Sequence, residues 1–375
     1  LTFWRLHLAS VLLMPVAALW LDWGREAPAT SSPAPRQRWF VGALAITLTL
    51  TLFFRLWRFD SLPFGTWYDE AENGLQALRI MENPGFRPIF VGSIHAPSHY
   101  LYLIVAAFEA AGVSTQSIRL VSVVMGAATV AAGYLAGREL YGRAGGVLLA
   151  FVIAVSRWNV NFSRIGMYNA STPLFALLTI GLLLRGIRRG RHIDFVLAGL
   201  ALGLGLCFYA AFQLFVAAMA LFLLILLVAE RGFLRRMWSG LALLALTALL
   251  VVAPVIKFAY EKPDIYFERT RDTSIFAKKT PAERLPALLE NTRKHLLMFN
   301  YWGDPNGRHN LPGEPMLDSY TGALWVLGLG LVLWRSARGP NRARALLLPL
   351  WFAITLLGGI LSLDFEAPQS LRAIG

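Results

Sequence analysis

Apolar stretches close to twenty residues long, separated by short arginine-bearing breaks, set the pattern of this 375-residue chain. The first runs from Leu6 to Trp23 and the second from Trp39 to Trp57. Later ones occupy Leu120–Leu135, Val147–Val155 with its flanks, Leu174–Leu184, Ile193–Tyr209, Phe212–Ala229, Met237–Phe258 and Tyr320–Trp334. A helix rises about 1.5 Å per residue, so about 20 apolar residues cross a hydrocarbon core of roughly 30 Å. A membrane β-barrel would show shorter, strictly alternating segments instead. The pattern predicts an all-α, polytopic membrane protein built as a transmembrane helix bundle.

The breaks orient the bundle. Three of them are dense in arginine: Arg185, Arg188, Arg189 and Arg191; Arg231, Arg235 and Arg236; Arg335, Arg338, Arg342 and Arg344. The positive-inside rule places all three in the cytoplasm, and an even number of apolar runs separates each from the next. Counting backward, Ser156–Asn169 is outside, Arg138 and Arg143 are inside, and the linker Arg25–Arg38 is inside. The helix Trp39–Trp57 therefore leads outward. One segment conflicts with this count. If Tyr100–Ala111 crossed the bilayer, every later loop would invert. It is short for a span and carries Glu109, with His95 and His99 just before it, so it is expected to lie on the outer face as an interfacial helix.

Residues 60–117 then form one external loop, and residues 259–319 a second that contains a helix over Pro281–Met298. Residues 1–38 read as an extra transmembrane helix and linker ahead of a transmembrane domain over 39–375. The start at Leu1 and the end at Leu371–Gly375 suggest a fragment of a longer protein that lacks its C-terminal part.

Composition removes the competing classes. With 56% hydrophobic and only 15% charged residues, the chain does not read as a soluble domain. Its net charge of +13 is concentrated in the loops, where it suits anionic membrane lipids rather than nucleic acid. The single cysteine, Cys207, lies in an apolar run and rules out a disulfide framework.

Candidate chemistry begins where the second helix emerges, at Trp67-Tyr68-Asp69-Glu70, with Glu72 two residues on. Acids at a membrane surface that is otherwise basic cost stability unless they serve something. Three uses stand open: a divalent cation, a general base, or an ion pair with Arg55, Arg58 or Arg79. An acid in a first helical turn is also favoured by the helix dipole alone.

These motifs resemble the GT-C glycosyltransferases, most nearly family 39, with the protein O-mannosyltransferases and the bacterial aminoarabinose transferases. The resemblance begins with Trp67-Tyr68-Asp69-Glu70-Ala71 after a transmembrane helix. It continues through His95-Ala96-Pro97-Ser98-His99-Tyr100-Leu101-Tyr102, Gly137-Arg138-Glu139-Leu140-Tyr141-Gly142-Arg143 and Ser156–Arg164, and covers about Phe54 to Phe258. It implies a GT-C fold and transfer of a sugar from a polyprenyl-phosphate carrier to an acceptor at the outer face of the cell (inner) membrane. It makes Asp69 the general base, with Glu70 beside it, because an acceptor hydroxyl needs a carboxylate to take its proton. A cation should meet the departing phosphate. Many family members carry a second acid where this chain has Asn169, so a two-carboxylate metal site is not expected and no cofactor is assigned.

Further candidates follow. Arg164 lies outside, against the positive-inside rule, and is either anchored at headgroups or in contact with phosphate. Arg372, in Leu371-Arg372-Ala373-Ile374-Gly375, resembles a family segment near the lipid-phosphate site, and its planar fork suits phosphate. It is expected to share a cavity with Asp69. The turn-rich stretch 300–313 is either a structured loop, with Asp304 and Asn306 closing turns, or an acceptor loop donating Asp304, Arg308 or His309. His95 and His99, four apart, have metal-ligand spacing with Pro97 between them. Gln213 is a helix–helix hydrogen bond or a carrier contact, and Lys257 and Lys294 read as interface anchors. Two other functions compete: a transporter or flippase of a lipid-linked solute, and an accessory subunit that kept the fold without the activity. A transporter should carry ionisable groups mid-membrane, and the apolar runs hold few.

Overall fold

The computed structural model describes residues 2–23, 37–277 and 279–373, so most of the expected linker Arg25–Arg38 lies outside the described residues. Those residues are overwhelmingly helical. The helices are α1 (Thr2–Leu21), α2 (Gln37–Leu56), α3 (Tyr68–Glu82), α4 (His99–Ala111), α5 (Thr115–Val155), α6 (Arg157–Ser163), α7 (Ser171–Arg189) and α8 (His192–Phe208). They continue as α9 (Phe212–Ala229), α10 (Phe233–Glu261), α11 (Pro263–Asp272), α12 (Pro281–Leu297), α13 (Ser319–Arg338), α14 (Arg342–Ala345) and α15 (Leu347–Ile360). Six of the described helices are long and apolar enough to cross a membrane. The chain is an all-α polytopic membrane protein.

The chain forms two compact units. The first comprises Leu1–Tyr209 with Met237–Phe258, and the second Ala210–Arg236 with Ala259–Gly375.

In the first unit, α5 is a helical hairpin rather than one 41-residue rod. Gly142 interrupts it at φ +77°, ψ −175°, a conformation open to glycine and strained for other residues. The two arms fold back so closely that a Cβ on Gly146 would fall 2.7 Å from the Tyr134 carbonyl oxygen. One on Gly137 would fall 2.8 Å from that of Gly145. Glycine at this crossing lets the backbones meet where larger side chains would hold them apart. The apolar runs Leu120–Leu135 and Val147–Val155, expected as two spans, fall one in each arm.

Ion pairs join the helix ends that the arginine count had grouped. At one end of the first unit, Arg188 donates a bidentate pair of 2.8 Å hydrogen bonds to Glu139 near the hairpin turn. Arg185 pairs with Asp194 at 2.6 Å. Just after α1, Asp22 accepts the N–H groups of His192 and Ile193, each at 2.9 Å, and so caps α8 from another helix. Met14 and Ala18 of α1 pack on Val196 of α8 below that cap. In the second unit, Glu230 receives Arg344 at 2.7 Å and lies 3.9 Å from Arg236, which joins the second and third arginine loops.

α4 has 13 residues, about 20 Å of helix at 1.5 Å per residue, well short of a roughly 30 Å core. Its Tyr100, Leu101, Ile104 and Phe108 are buried, and the Tyr100 hydroxyl bonds Ser122 of α5 at 2.8 Å. Ahead of it, β1 (Phe90–Val91) and β2 (Ala96–Pro97) pair antiparallel, with Phe90 opposite Pro97.

Candidate functional site

The acidic motif folds into the first turn of α3, and its two acids have different surroundings. Glu70 is fully buried and reaches back to accept the Trp67 N–H at 3.1 Å, closing a capping box. Arg119 of α5 grips it with both sides of its fork, Nε to Oε1 at 2.9 Å and Nη2 to Oε2 at 3.0 Å. Gly166 N–H adds a third donor at 2.7 Å, and Arg119 also donates to the carbonyls of Pro63 (2.9 Å) and Gly65 (2.5 Å). One ion pair thus ties the exit of α2, the start of α3, the start of α5 and the loop after α6. Glu70 pairs with Arg119, and none of Arg55, Arg58 and Arg79, the expected partners, is in that contact. Four donors surround its two oxygens, so direct proton transfer to an acceptor is not what its geometry offers.

Asp69 is half-buried in the same turn. Neighbours on a helix point about 100° apart, so it faces a different direction from Glu70.

Arg55 is fully buried, and donates to the carbonyl of Ala154 (3.2 Å) and to Asn159 Oδ1 (2.5 Å). Arg164 does not stand ready for phosphate. Its guanidinium donates to the carbonyls of Phe54 and Trp57, each at 2.7 Å, and of Leu62 at 3.0 Å. The Phe54 and Trp57 carbonyls lie at the end of α2, where the helix leaves them without helical partners, so Arg164 caps that end. Asn169 is fully buried in a 3-10 turn, and both ends of its amide lack a hydrogen-bond partner among the described residues. Buried amides are normally satisfied, so one that is not marks a place for another polar molecule. His95 and His99 do not share a helix face: His99 opens α4, whereas His95 sits between the short strands in left-handed conformation at φ +48°. Among the described residues no three His, Cys, Asp or Glu side chains cluster as metal ligands.

In the second unit, the stretch 300–313 is a closed loop turned inward. Asp304 Oδ1 accepts the Asn306 N–H at 2.9 Å, and Asn306 Oδ1 accepts that of Arg308 at 3.0 Å. These are the turn-closing roles left open by the sequence. Asp304 and His309 are buried and bonded to each other, Nδ1 to Oδ2 at 2.9 Å. Arg308 Nε donates to His309 Nε2 at 3.1 Å. Burial raises the Asp304 carboxyl, but His309 and the Asn306 and Ser370 amides outweigh it and hold it below the ordinary 3.8. Arg372 lies 3.4 Å from Glu366 with most of its side chain enclosed. Gln213 bonds the Tyr266 hydroxyl at 3.0 Å, the helix–helix option.

Arg119 is the residue that sequence reasoning missed. Its signal was legible: an arginine at the outer end of a predicted span, where the positive-inside rule disfavours it.

A family model described as dolichyl-phosphate-mannose-protein mannosyltransferase matches residues 95–258. No curated protein matches the chain. Among solved structures, ArnT from Cupriavidus metallidurans in the apo state superposes with a TM-score of 0.60 at 14% identity. The match covers 90% of this chain and 57% of ArnT. The same protein bound to undecaprenyl phosphate gives 0.58 at 15%, covering 91% and 59%. The archaeal oligosaccharyltransferase AglB from Archaeoglobus fulgidus, in complex with an inhibitory peptide and a dolichol-phosphate, gives 0.57 at 17%. That match covers 90% of this chain and 48% of AglB. The chain therefore spans about half the length of these proteins, and it shares the fold of the parts it matches.

Proposed function

We propose that this chain is the membrane domain of a glycosyltransferase that moves a sugar from a polyprenyl-phosphate carrier to an acceptor at the outer face of the cell membrane. The observation that carries the reading is the division of labour in the Asp69–Glu70 pair. Glu70 is locked by Arg119 and fixes the turn, which holds the half-buried Asp69 in place as the base. The GT-C fold, the family match over 95–258 and the carrier lipids in the two similar structures support it.

In this mechanism Asp69 takes the proton of the acceptor hydroxyl as its oxygen attacks the anomeric carbon. The bond to the carrier phosphate breaks, and the phosphate leaves with the electron pair. A phosphate leaving group is already stable as an anion, so no strong acid is required. A cation must balance its charge, and Arg372, whose fork matches two phosphate oxygens, is assigned that role. Glu70 acts by holding the turn, and Asn169 is assigned to the substrate because its amide is buried without partners.

The test is Asp69→Asn, which keeps shape and removes the proton acceptor. Turnover is expected to fall about 10²–10⁴-fold with the fold intact. A folded variant that turns over at the wild-type rate removes Asp69 from the mechanism.

A further inference from the structure

Two consecutive backbone N–H groups near the end of the described chain are received by buried side chains from two other elements. Gln369 N–H donates to His295 Nε2 at 3.1 Å, and Ser370 N–H donates to Asp304 Oδ2 at 2.8 Å. The Ser370 hydroxyl donates to the same carboxylate oxygen at 2.9 Å. His295 comes from α12 and Asp304 from the loop between α12 and α13.

The segment lies against α15 as well. A Cβ on Gly358 would fall 2.7 Å from the Arg372 carbonyl oxygen, and one on Gly359 would fall 2.3 Å from His295 Nε2. Residues 367–373 have no helix or strand of their own, so their position is set by these borrowed partners.

The hydrogen-bond directions are mutually consistent. His295 Nδ1 donates to the Asn291 carbonyl at 2.8 Å, which leaves Nε2 to accept. Burial pushes His295 below the ordinary 6.5, which keeps that acceptor available. His309 likewise donates from Nδ1 to Asp304 and accepts Arg308 at Nε2. Aspartate, histidine and serine meet here, yet not as a hydrolase triad: the serine donates to the carboxylate and is fully buried.

We propose that His295 and Asp304 are positioning residues for Arg372. They fix the backbone three and two residues before it, so that its guanidinium is held oriented for the carrier phosphate. Glu366 steadies the same segment, accepting Gln369 Nε2 at 2.7 Å while it pairs with Arg372. The inference rests on the assignment of Arg372 to the phosphate.

The test measures binding of polyprenyl phosphate to the full-length purified protein, with polyprenol, which lacks the phosphate, as the reference ligand. His295→Phe keeps a ring and loses the acceptor, whereas His295→Gln keeps an acceptor near Nε2. Leaving a buried N–H unpaired costs enough that His295→Phe and Asp304→Asn should each weaken polyprenyl phosphate about tenfold. His295→Gln should stay within about twofold by the same measure. Polyprenol binding should not change, and in an Arg372→Ala background His295→Phe should add nothing further. Where Asp304→Asn does not fold, Ser370→Ala, which removes only the hydroxyl bond, makes the same comparison.

A role confined to stability predicts instead that both ligands weaken or neither does, and that outcome overturns the proposal. If Arg372→Ala weakens polyprenyl phosphate but folded His295→Phe and Asp304→Asn do not, the positioning role fails and the assignment of Arg372 stands. If Arg372→Ala leaves binding unchanged, that assignment fails and the proposal falls with it.

Discussion

Asp69 and Glu70 are adjacent and chemically alike, and the surroundings give them different work. Glu70 is enclosed with a guanidinium, and a buried ion pair is stable only while both partners are present. Arg119→Met should therefore cost about 3–5 kcal/mol, because it leaves an uncompensated buried carboxylate. The double replacement Arg119→Met with Glu70→Leu should recover much of that loss, since an apolar pair of similar volume is often neutral. Unfolding midpoints of the detergent-purified variants provide the comparison. A single variant as stable as the parent would mean that Glu70 and Arg119 do not meet out of water. Arg164 carries the same lesson in reverse: charge singled it out, but its use was not readable. Nothing in the residues around position 164 says that the chain at 54–62 presents three carbonyls to it.

At the scale of elements, periodicity placed helices over the apolar runs, but Leu6–Trp23, Ile193–Tyr209 and Tyr320–Trp334, expected as spans, are not among the six described helices long and apolar enough to cross a membrane. The hairpin turn at Gly142 and the pairing of Glu139 with Arg188 fall where Arg138 and Arg143 placed a turn. Helix α12 begins at Pro281 behind a Thr280–Glu283 capping box, at the start expected from the sequence. What sequence missed was short and non-local. The strand pair around His95 spans a few residues and has no periodic signal, so the metal-ligand spacing of His95 and His99 could not be judged from sequence, and only His99 is helical. Charge bookkeeping, not length alone, is the reason to expect α4 on the outer face, and this is directly testable. Val113 follows α4 and is exposed, and the native Cys207 is buried and gives little background. A Val113→Cys protein in intact cells should react with an impermeant thiol reagent. Labelling that appears only after lysis would show that α4 crosses and would invert the assignment of sides.

For the whole molecule, the fold class was the most legible property, because it rests on many apolar positions at once. The candidate site was legible in part. The acidic pair sits in a contiguous motif, whereas the partners of Glu70, Arg119 and Gly166, lie 49 and 96 residues away in sequence. The same holds for the segment before Arg372, whose partners His295 and Asp304 lie 74 and 66 residues away from the groups they receive. Short patterns reveal residue chemistry, but contacts at such separations appear only once the chain is folded. The central proposal is that this membrane domain acts on a lipid-phosphate-linked sugar. The most direct measurement incubates proteoliposomes holding the full-length protein with a panel of polyprenyl-phosphate sugars and follows release of free polyprenyl phosphate. At least one donor should be consumed by the parent protein, and its consumption should collapse in Asp69→Asn. A folded parent that consumes none of them, or an Asp69→Asn protein that consumes the same donor equally fast, would contradict the account.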